Sequence, residues 1–141
     1  MNVEIIREGK PAFSQYGDLV SVYKKRLSPF TTVHDTRLKT ISADVIGKPF
    51  QFLIALDERG KQFSSVEISN LINEKRSDNR VKNLAFVIGG PYGLQEDVLA
   101  AADLKLALSK SVLTSDLAWL VMWEQLYRAY SIINGGSYHH Q

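Results

Sequence analysis

Two short apolar runs constrain the fold of this chain more than any other feature of its sequence. Residues 50–56 read FQFLIAL and residues 84–88 read LAFVI, so a strand formed by either run is apolar on both of its faces. Such a strand must be covered on both faces, as happens in the middle of a parallel sheet that is flanked by helices. The two runs therefore predict an α/β architecture.

Less regular patterns place further strands around these runs. Residues 3–6 and 104–108 are short apolar segments, and residues 31–34 form a weak strand candidate. Residues 36–49 have the least legible pattern, and we interpret them as a loop or a short helix. Because helical patterns separate the apolar runs, we expect a mainly parallel sheet with helices on both faces.

Three helices are predicted between the strands. The first ends before Pro29, and its apolar residues have helical spacing: Phe13, Tyr16, Val20, Tyr23 and Leu27. The second begins at a capping box, because Ser64 is followed three residues later by Glu67. Its buried face consists of Ile68, Leu71 and Ile72. The third is a short helix at residues 95–103.

A fourth helix, from Thr114 or Ser115 to about Asn134, is apolar around much of its circumference. Its main stripe advances in steps of four and three residues: Trp119, Trp123, Leu126, Tyr130 and Ile133. Three more apolar residues lie off this stripe: Leu117, Leu120 and Val121. A helix of this kind needs more than one neighbour to cover it. Deep burial within one subunit and pairing in a two-fold homodimer both remain open.

The composition excludes several classes of protein. A chain of 141 residues is expected to form one domain over residues 1–141. It has no cysteine and three histidines, so we expect neither disulfides nor a metal site. Its longest uninterrupted apolar run, residues 117–123, is too short to span a bilayer. The first ten residues do not resemble a signal peptide. We therefore expect a cytoplasmic protein that does not bind a membrane.

Three glycines lie within residues 89–93, GGPYG, directly after the second apolar run. Their spacing differs from that of a dinucleotide fingerprint, and no Gly-Lys-Ser or Gly-Lys-Thr ending follows. Pro91 also removes a backbone donor that a phosphate would need. A plain turn remains open, and so does a ligand contact. Ligands bind at strand ends of α/β sheets, and glycine lets them approach the backbone closely.

The string FVIGGPYGL, residues 86–94, resembles the glycine loop of the small SPOUT methyltransferases, specifically the ribosomal RNA methyltransferase H family. Four further segments are similar to family segments in the same order along the chain. They are VYKKRL (22–27), ALDERGKQFSS (55–65), LALSK (106–110) and EQLYRAYSIINGGSYHHQ (124–141). Together they cover most of the chain, so the resemblance is specific.

This resemblance implies a mainly parallel α/β sheet that closes with a C-terminal trefoil knot, an exception to the rule against threaded chains. It implies a homodimer paired through the last helix. It also implies S-adenosylmethionine as cofactor and ribosomal RNA within the ribosome as substrate. Members of the family methylate N3 of a pseudouridine in helix 69 of 23S rRNA. Carried over by position, the cofactor-binding residues are Leu56, Gly89, Leu108, Ser109, Lys110, Ser111, Val112 and Leu113.

The chain departs from the family at one motif, Pro-His-x-x-x-Arg, which precedes the last helix. Thr114, Ser115 and Trp119 occupy the positions of its proline, histidine and arginine. Serine is not a base near neutral pH unless a partner activates it, and tryptophan cannot stabilise an anion as arginine does. The catalytic group is therefore unassigned.

Several polar residues remain as candidates for catalysis or for binding the cofactor and the RNA. The resemblance makes Arg128, Tyr138 and His139 candidate catalytic residues, with His140 and the isolated His34 less supported. It also places a charged turn beside the cofactor and the RNA: Asp57, Glu58, Arg59 and Lys61. Three functions stay open: a methyltransferase for this pseudouridine, a homologue that binds cofactor or RNA without transfer, and a SPOUT enzyme with another RNA acceptor.

Overall fold

A parallel sheet carries every element of the candidate site. The computed structural model describes residues 1–49 and 51–140, and in this part of the chain it contains five strands. They are β1 (Asn2–Glu8), β2 (Val33–Leu38), β3 (Gln51–Gln62), β4 (Asn83–Ile88) and β5 (Leu104–Ala107). The strand order is β2-β1-β4-β3-β5, and all four neighbouring pairs are parallel. The predicted parallel sheet is confirmed.

Helices cover both faces of this sheet, as predicted. They are α1 (Ser14–Leu27), α2 (Ala43–Ile46), α3 (Ser65–Arg76), α4 (Glu96–Ala101) and α5 (Ser115–Ile133). One face packs against α1, α3 and α5, and the core there includes Ile5, Phe86 and Trp123. The other face packs against the short helices α2 and α4 through Ile46 and Val98. The two apolar runs thus lie in β3 and β4, where side chains on both faces are buried.

Local signals placed helix ends correctly. Ser64 and Glu67 form a complete capping box at the start of α3, with each side chain bonded to the other residue's backbone N–H. The side chain of Thr114 accepts a hydrogen bond from the Leu117 amide, so Thr114 rather than Ser115 caps α5. These contacts satisfy amide groups that would otherwise lack partners in the first turn of a helix.

The strand predicted at residues 31–34 was misplaced. β2 spans Val33–Leu38 and lies at the edge of the sheet, paired only with β1 among the described strands. An edge strand can be polar, and Thr36 donates to the Glu4 carboxylate at 2.8 Å. Residues 36–49 were interpreted as a loop or a short helix. Residues 36–38 belong to β2 instead, and α2 at Ala43–Ile46 is a short helix within this segment. Phe50, predicted to open the next strand, lies outside the described residues.

The apolar circumference of α5 is largely covered within one chain. Trp119, Trp123 and Leu126 are fully buried, and α5 packs against both α1 and α3. The need for more than one neighbour is therefore met by helices of the same subunit. Leu117, off the main stripe, is 40% exposed, and the homodimer stays a prediction. No helix among the described residues has the length and apolarity needed to cross a membrane.

Candidate functional site

A cavity opens where β3, β4 and β5 end and α5 begins. Ligands of open α/β sheets bind at this edge, outside the carboxyl ends of the strands. The space between its walls is about 520 Å³ when the open mouth towards solvent is counted with it. Its lining comes from the three strand ends, the loops that follow them and the first turn of α5. It includes Leu56, Asp57, Glu58, Ile88, Gly89, Gly90, Gly93, Leu106, Leu108, Ser109, Ser111, Leu113, Ser115 and Ala118.

Six of the eight residues expected at the cofactor line this cavity. They are Leu56, Gly89, Leu108, Ser109, Ser111 and Leu113. The other two, Lys110 and Val112, are exposed to solvent and are not among the lining residues. Alternate residues of this segment therefore face the cavity. Contact of any of the eight with a cofactor stays a prediction.

The glycine loop is a tight turn and also a wall of the cavity. The Gly93 amide donates to the Gly90 carbonyl at 3.0 Å, and Gly93 has a φ of +79°, which favours glycine. A Cβ atom on Gly89 would lie 2.5 Å from the carbonyl carbon of Gly93. The close approach that requires glycine at position 89 is therefore made by the loop's own backbone, as a plain turn would have it, and contact of this loop with a ligand stays a prediction.

The charged segment after Leu56 is part of β3, not the turn that the sequence analysis expected. Leu56 and Lys61 both lie opposite Leu106 of β5, so residues 57–60 bulge out of the ladder. A Cβ atom on Gly60 would lie 2.6 Å from the carbonyl group of Lys105, so only glycine lets the bulge approach β5 this closely. The bulge projects Asp57 and Glu58 into the cavity lining, and Arg59 is exposed.

Asp57 brings a negative charge to the cavity. Its carboxylate accepts hydrogen bonds from the Arg59 amide at 3.1 Å and from the Arg59 guanidinium at 3.2 and 3.3 Å. Burial raises the pKa of the Asp57 carboxyl, but the hydrogen bonds and the charge of Arg59 lower it more, so the pKa lies below its ordinary value. Asp57 is therefore ionised at neutral pH.

Replacing Arg59 by alanine is expected to raise the pKa of Asp57, because the variant loses the guanidinium that stabilises the carboxylate. A depressed folded pKa means that the carboxylate stabilises the fold above its unfolded pKa. This contribution is lost as the pH falls through the folded pKa, and in the variant it is lost at a higher pH. Carbon-13 NMR titration of the side-chain carboxyl measures the shift.

The chain supplies an internal control for this titration. Arg80 bonds Asp78 through the same three nitrogens, at 2.9 to 3.1 Å, and these bonds lower the pKa of Asp78 to about 2. The pKa of Asp78 must stay at that value in the Arg59→Ala variant. An unchanged pKa of Asp57 would contradict the role given to Arg59.

Ser115, at the position of the family's histidine, joins α5 to the glycine loop. Its hydroxyl donates to the Gly89 carbonyl at 2.7 Å, and Arg7 Nη2 donates to the Ser115 Oγ atom at 3.4 Å. The hydroxyl proton is therefore engaged by the backbone. This geometry makes Ser115 a structural link between two walls of the cavity.

Arg7 was not among the site residues predicted from the sequence. Its guanidinium contacts the first turn of α5. Its side chain is 2% exposed, and Nη2 contacts Asp116 Oδ1 at 2.9 Å. Its guanidinium also lies 4.8 Å from the centre of the Trp119 ring. The predicted first strand ended at Ile6, two residues before the end of β1 at Glu8. The available signal was alternation, because Arg7 follows Val3 and Ile5 on one face of β1.

The three candidate catalytic residues lie together, but not at the cavity of their own chain. Arg128 contacts His139 Nδ1 at 3.0 Å and stacks at 4.7 Å on the ring of Tyr138. Tyr138 packs in turn on Tyr127, with ring centres 4.6 Å apart. Arg128 is thirteen residues beyond Ser115 on α5, which corresponds to about 20 Å along a helix. None of the three lines the described cavity.

Solved structures of similar shape are methyltransferases. A probable methylase family protein from Haemophilus influenzae superposes with a TM-score of 0.60 over 99% of this chain and 71% of its own. A probable methyltransferase from Bordetella pertussis gives 0.58 over 92% of this chain and 96% of its own. Sequence identities are 12% and 15%, so these matches support the fold alone.

Sequence comparisons identify the family. The family model described as "Predicted SPOUT methyltransferase" matches residues 1–139. A protein of Christiangramia forsetii named ribosomal RNA large subunit methyltransferase H is 34% identical over the whole of both chains. The protein of that name from Maridesulfovibrio salexigens is 37% identical over 98% of this chain and 97% of its own. This chain therefore belongs to the SPOUT methyltransferases and, among them, to the ribosomal RNA large subunit methyltransferase H family.

Proposed function

We propose that this protein transfers a methyl group from S-adenosylmethionine to ribosomal RNA, at N3 of a pseudouridine in helix 69 of 23S rRNA. The observation that carries this proposal is the cavity at the ends of β3, β4 and β5, because six positions matched to the family's cofactor site line it. Relatives named for ribosomal RNA methylation match this chain over its whole length.

The cavity has the chemistry that an adenosyl group with a positive charge requires. Leucine and isoleucine side chains supply apolar walls for an adenine ring: Leu56, Ile88, Leu106, Leu108 and Leu113. The carboxylates of Asp57 and Glu58 supply acceptors for ribose hydroxyls and a negative potential that favours a cation. The bound cofactor would supply an electrophilic methyl group. The chain's own task is to hold the donor and the acceptor nitrogen in line, which accounts for much of the rate of such a displacement.

The acceptor nitrogen must also lose a proton, and one subunit offers little for that step. Ser115 has its hydroxyl proton engaged by Gly89, and Trp119 is fully buried. The tail residues Tyr138 and His139 follow α5 and contact Arg128, near the end of that helix away from the cavity. We therefore propose that the working enzyme is a homodimer, in which the tail of one subunit completes the cavity of its partner.

A second candidate function rests on the same two positions. A homologue that has lost methyl transfer but still binds cofactor or RNA would retain the cavity and need neither histidine nor arginine there. The bonded hydroxyl of Ser115 and the buried indole of Trp119 favour this candidate. The enzyme requires S-adenosylmethionine to bind, and an inactive homologue that keeps a working cofactor site also binds it, so cofactor binding alone does not separate them.

Two measurements in sequence test the proposal. Calorimetry first measures S-adenosylmethionine binding, and absence of binding would contradict the enzyme and leave only a homologue that binds RNA. Tritium transfer to ribosomes that lack the modification then separates them, since binding without transfer favours the inactive homologue. Mass spectrometry of the product RNA identifies the acceptor, and another nucleoside would show a different RNA specificity.

We expect assembled ribosomes or subunits to be methylated at a far higher rate than protein-free RNA. The net charge of the chain is only +2, so phosphate attraction alone gives little affinity for a free strand. Recognition must then depend on the shape of a folded RNA site. Tritium incorporation into the two substrates at equal RNA concentration measures the difference. Equal rates would contradict recognition by shape.

A further inference from the structure

Two arginines with different surroundings lie over the indole ring of Trp119. Arg7 is 4.8 Å from the ring centre and Arg37 is 5.4 Å from it. Arg7 is buried, and Asp116 neutralises its charge. Arg37 is exposed, and no carboxylate pairs with it among the described residues. The outer arginine therefore carries an uncompensated positive charge.

The strand register places this charge beside the cavity. Arg37 of β2 pairs with Arg7 of β1, and Arg7 pairs with Ile88 of β4, which lines the cavity. Partners in a parallel register point to the same face of the sheet. Neighbouring strands are about 4.8 Å apart, so the backbone of Arg37 is roughly 10 Å from that of Ile88. A nucleotide held at the cavity would bring its neighbouring phosphates within reach of Arg37.

The Trp119 ring also restrains the guanidinium of Arg37. A guanidinium that stacks on an aromatic face loses less conformational freedom when it binds, and its planar donors match phosphate oxygens in pairs. Position 119 carries arginine in the family motif and tryptophan here. The chain therefore has no positive charge at position 119 of α5. The tryptophan at this position contacts the positively charged Arg37 of β2 instead.

We propose that Arg37 binds a backbone phosphate of the RNA substrate beside the cavity. This inference rests on the proposed function, because it takes RNA to be the molecule that reaches the cavity. Trp119 acts as the positioning residue, and Arg7 also contacts its ring, at 4.8 Å from the ring centre.

The test measures the dissociation constant for large ribosomal subunits that lack the modification, with three variants. Arg37→Met removes the charge but keeps an unbranched apolar side chain over Trp119. Arg37→Lys keeps the charge without the planar donors. Lys82→Met is the control, because it removes one exposed charge at the amino edge of the sheet, just before β4.

We expect Arg37→Met to weaken subunit binding by about 10-fold or more, the effect of losing one hydrogen-bonded charge. The slope of log K against log salt should fall by about 0.7 to 0.9, the value for one phosphate contact. Arg37→Lys should fall between this variant and the wild type. Affinity for S-adenosylmethionine and the melting temperature should remain those of the wild type.

An Arg37→Met affinity within twofold of the wild type, or equal to that of Lys82→Met, would overturn the inference. The readout does not need methyl transfer, so it also decides the question for an inactive homologue. A wild type that binds subunits but transfers no methyl group would contradict the proposed enzyme. The binding measurement would still decide whether Arg37 contacts the RNA. A wild type that does not bind subunits would overturn both proposals.

Discussion

Replacing Gly89 by alanine is expected to weaken S-adenosylmethionine binding by about 5- to 150-fold. The added Cβ would lie 2.5 Å from the carbonyl carbon of Gly93 and 2.7 Å from the Leu94 nitrogen. Both contacts are with backbone, so the loop itself must move. Overpacking of this kind costs about 1 to 3 kcal/mol, which corresponds to that range of affinity. Calorimetry with S-adenosylmethionine measures the loss.

The neighbouring glycine provides a matched control. A Cβ on Gly90 would meet only the Glu8 carboxylate, at 3.5 Å, which is an ordinary contact. Gly90→Ala also keeps the amide that donates to Glu8 at 3.3 Å. We expect it to bind cofactor within about threefold of the wild type, since a substitution that creates no clash and breaks no hydrogen bond usually changes the free energy by about 0.5 kcal/mol or less. Similar affinities for the two variants would contradict the steric role of Gly89.

Replacing Arg7 by methionine is expected to lower the free energy of unfolding by about 1.5 to 3 kcal/mol. The change leaves Asp116, whose side chain is 13% exposed, without its guanidinium partner, and losing a hydrogen bond to a charged group has a cost of this size. Asp116 keeps one hydrogen bond, from the Ala12 amide at 2.9 Å. Urea denaturation at one fixed chain concentration measures the change.

A double variant separates the charge from the packing. Adding Asp116→Leu to Arg7→Met removes both members of the pair, and an apolar replacement of a buried pair is often neutral or stabilising. Most of the lost free energy should therefore return. Arg59→Ala is the exposed control, because its guanidinium pairs with Asp57 from a side chain that is 69% exposed. A single Arg7→Met variant as stable as this control would show that the pair contributes nothing.

The central strands and the capped helices could be predicted because their signals are local. A strand whose residues are apolar on both faces must lie in the covered middle of the sheet. This pattern identified β3 and β4. The capping box at Ser64 joins residues three positions apart, so the sequence contains both halves of it. The family resemblance then led to six positions that meet at one cavity.

The rest of the site depends on contacts between distant parts of the chain. β2 is polar because it lies at an edge, which only the pairing of strands reveals. The ion pair of Arg7 and Asp116 joins residues 109 positions apart. The bulge in β3 exists because Leu56 and Lys61 share one partner, Leu106. No periodicity within β3 encodes that register.

The pairing of Leu56 and Lys61 with the same residue, Leu106, determines which wall of the cavity is free to move. The segment that holds Asp57 and Glu58 is anchored to β5 on both of its sides, so it cannot swing outwards without breaking the ladder. The stretch between β5 and α5, residues 108–114, has no regular hydrogen bonding of its own. Entry and release of a ligand would then follow the opening of this connection, whose energetic cost is low compared with unzipping two strands.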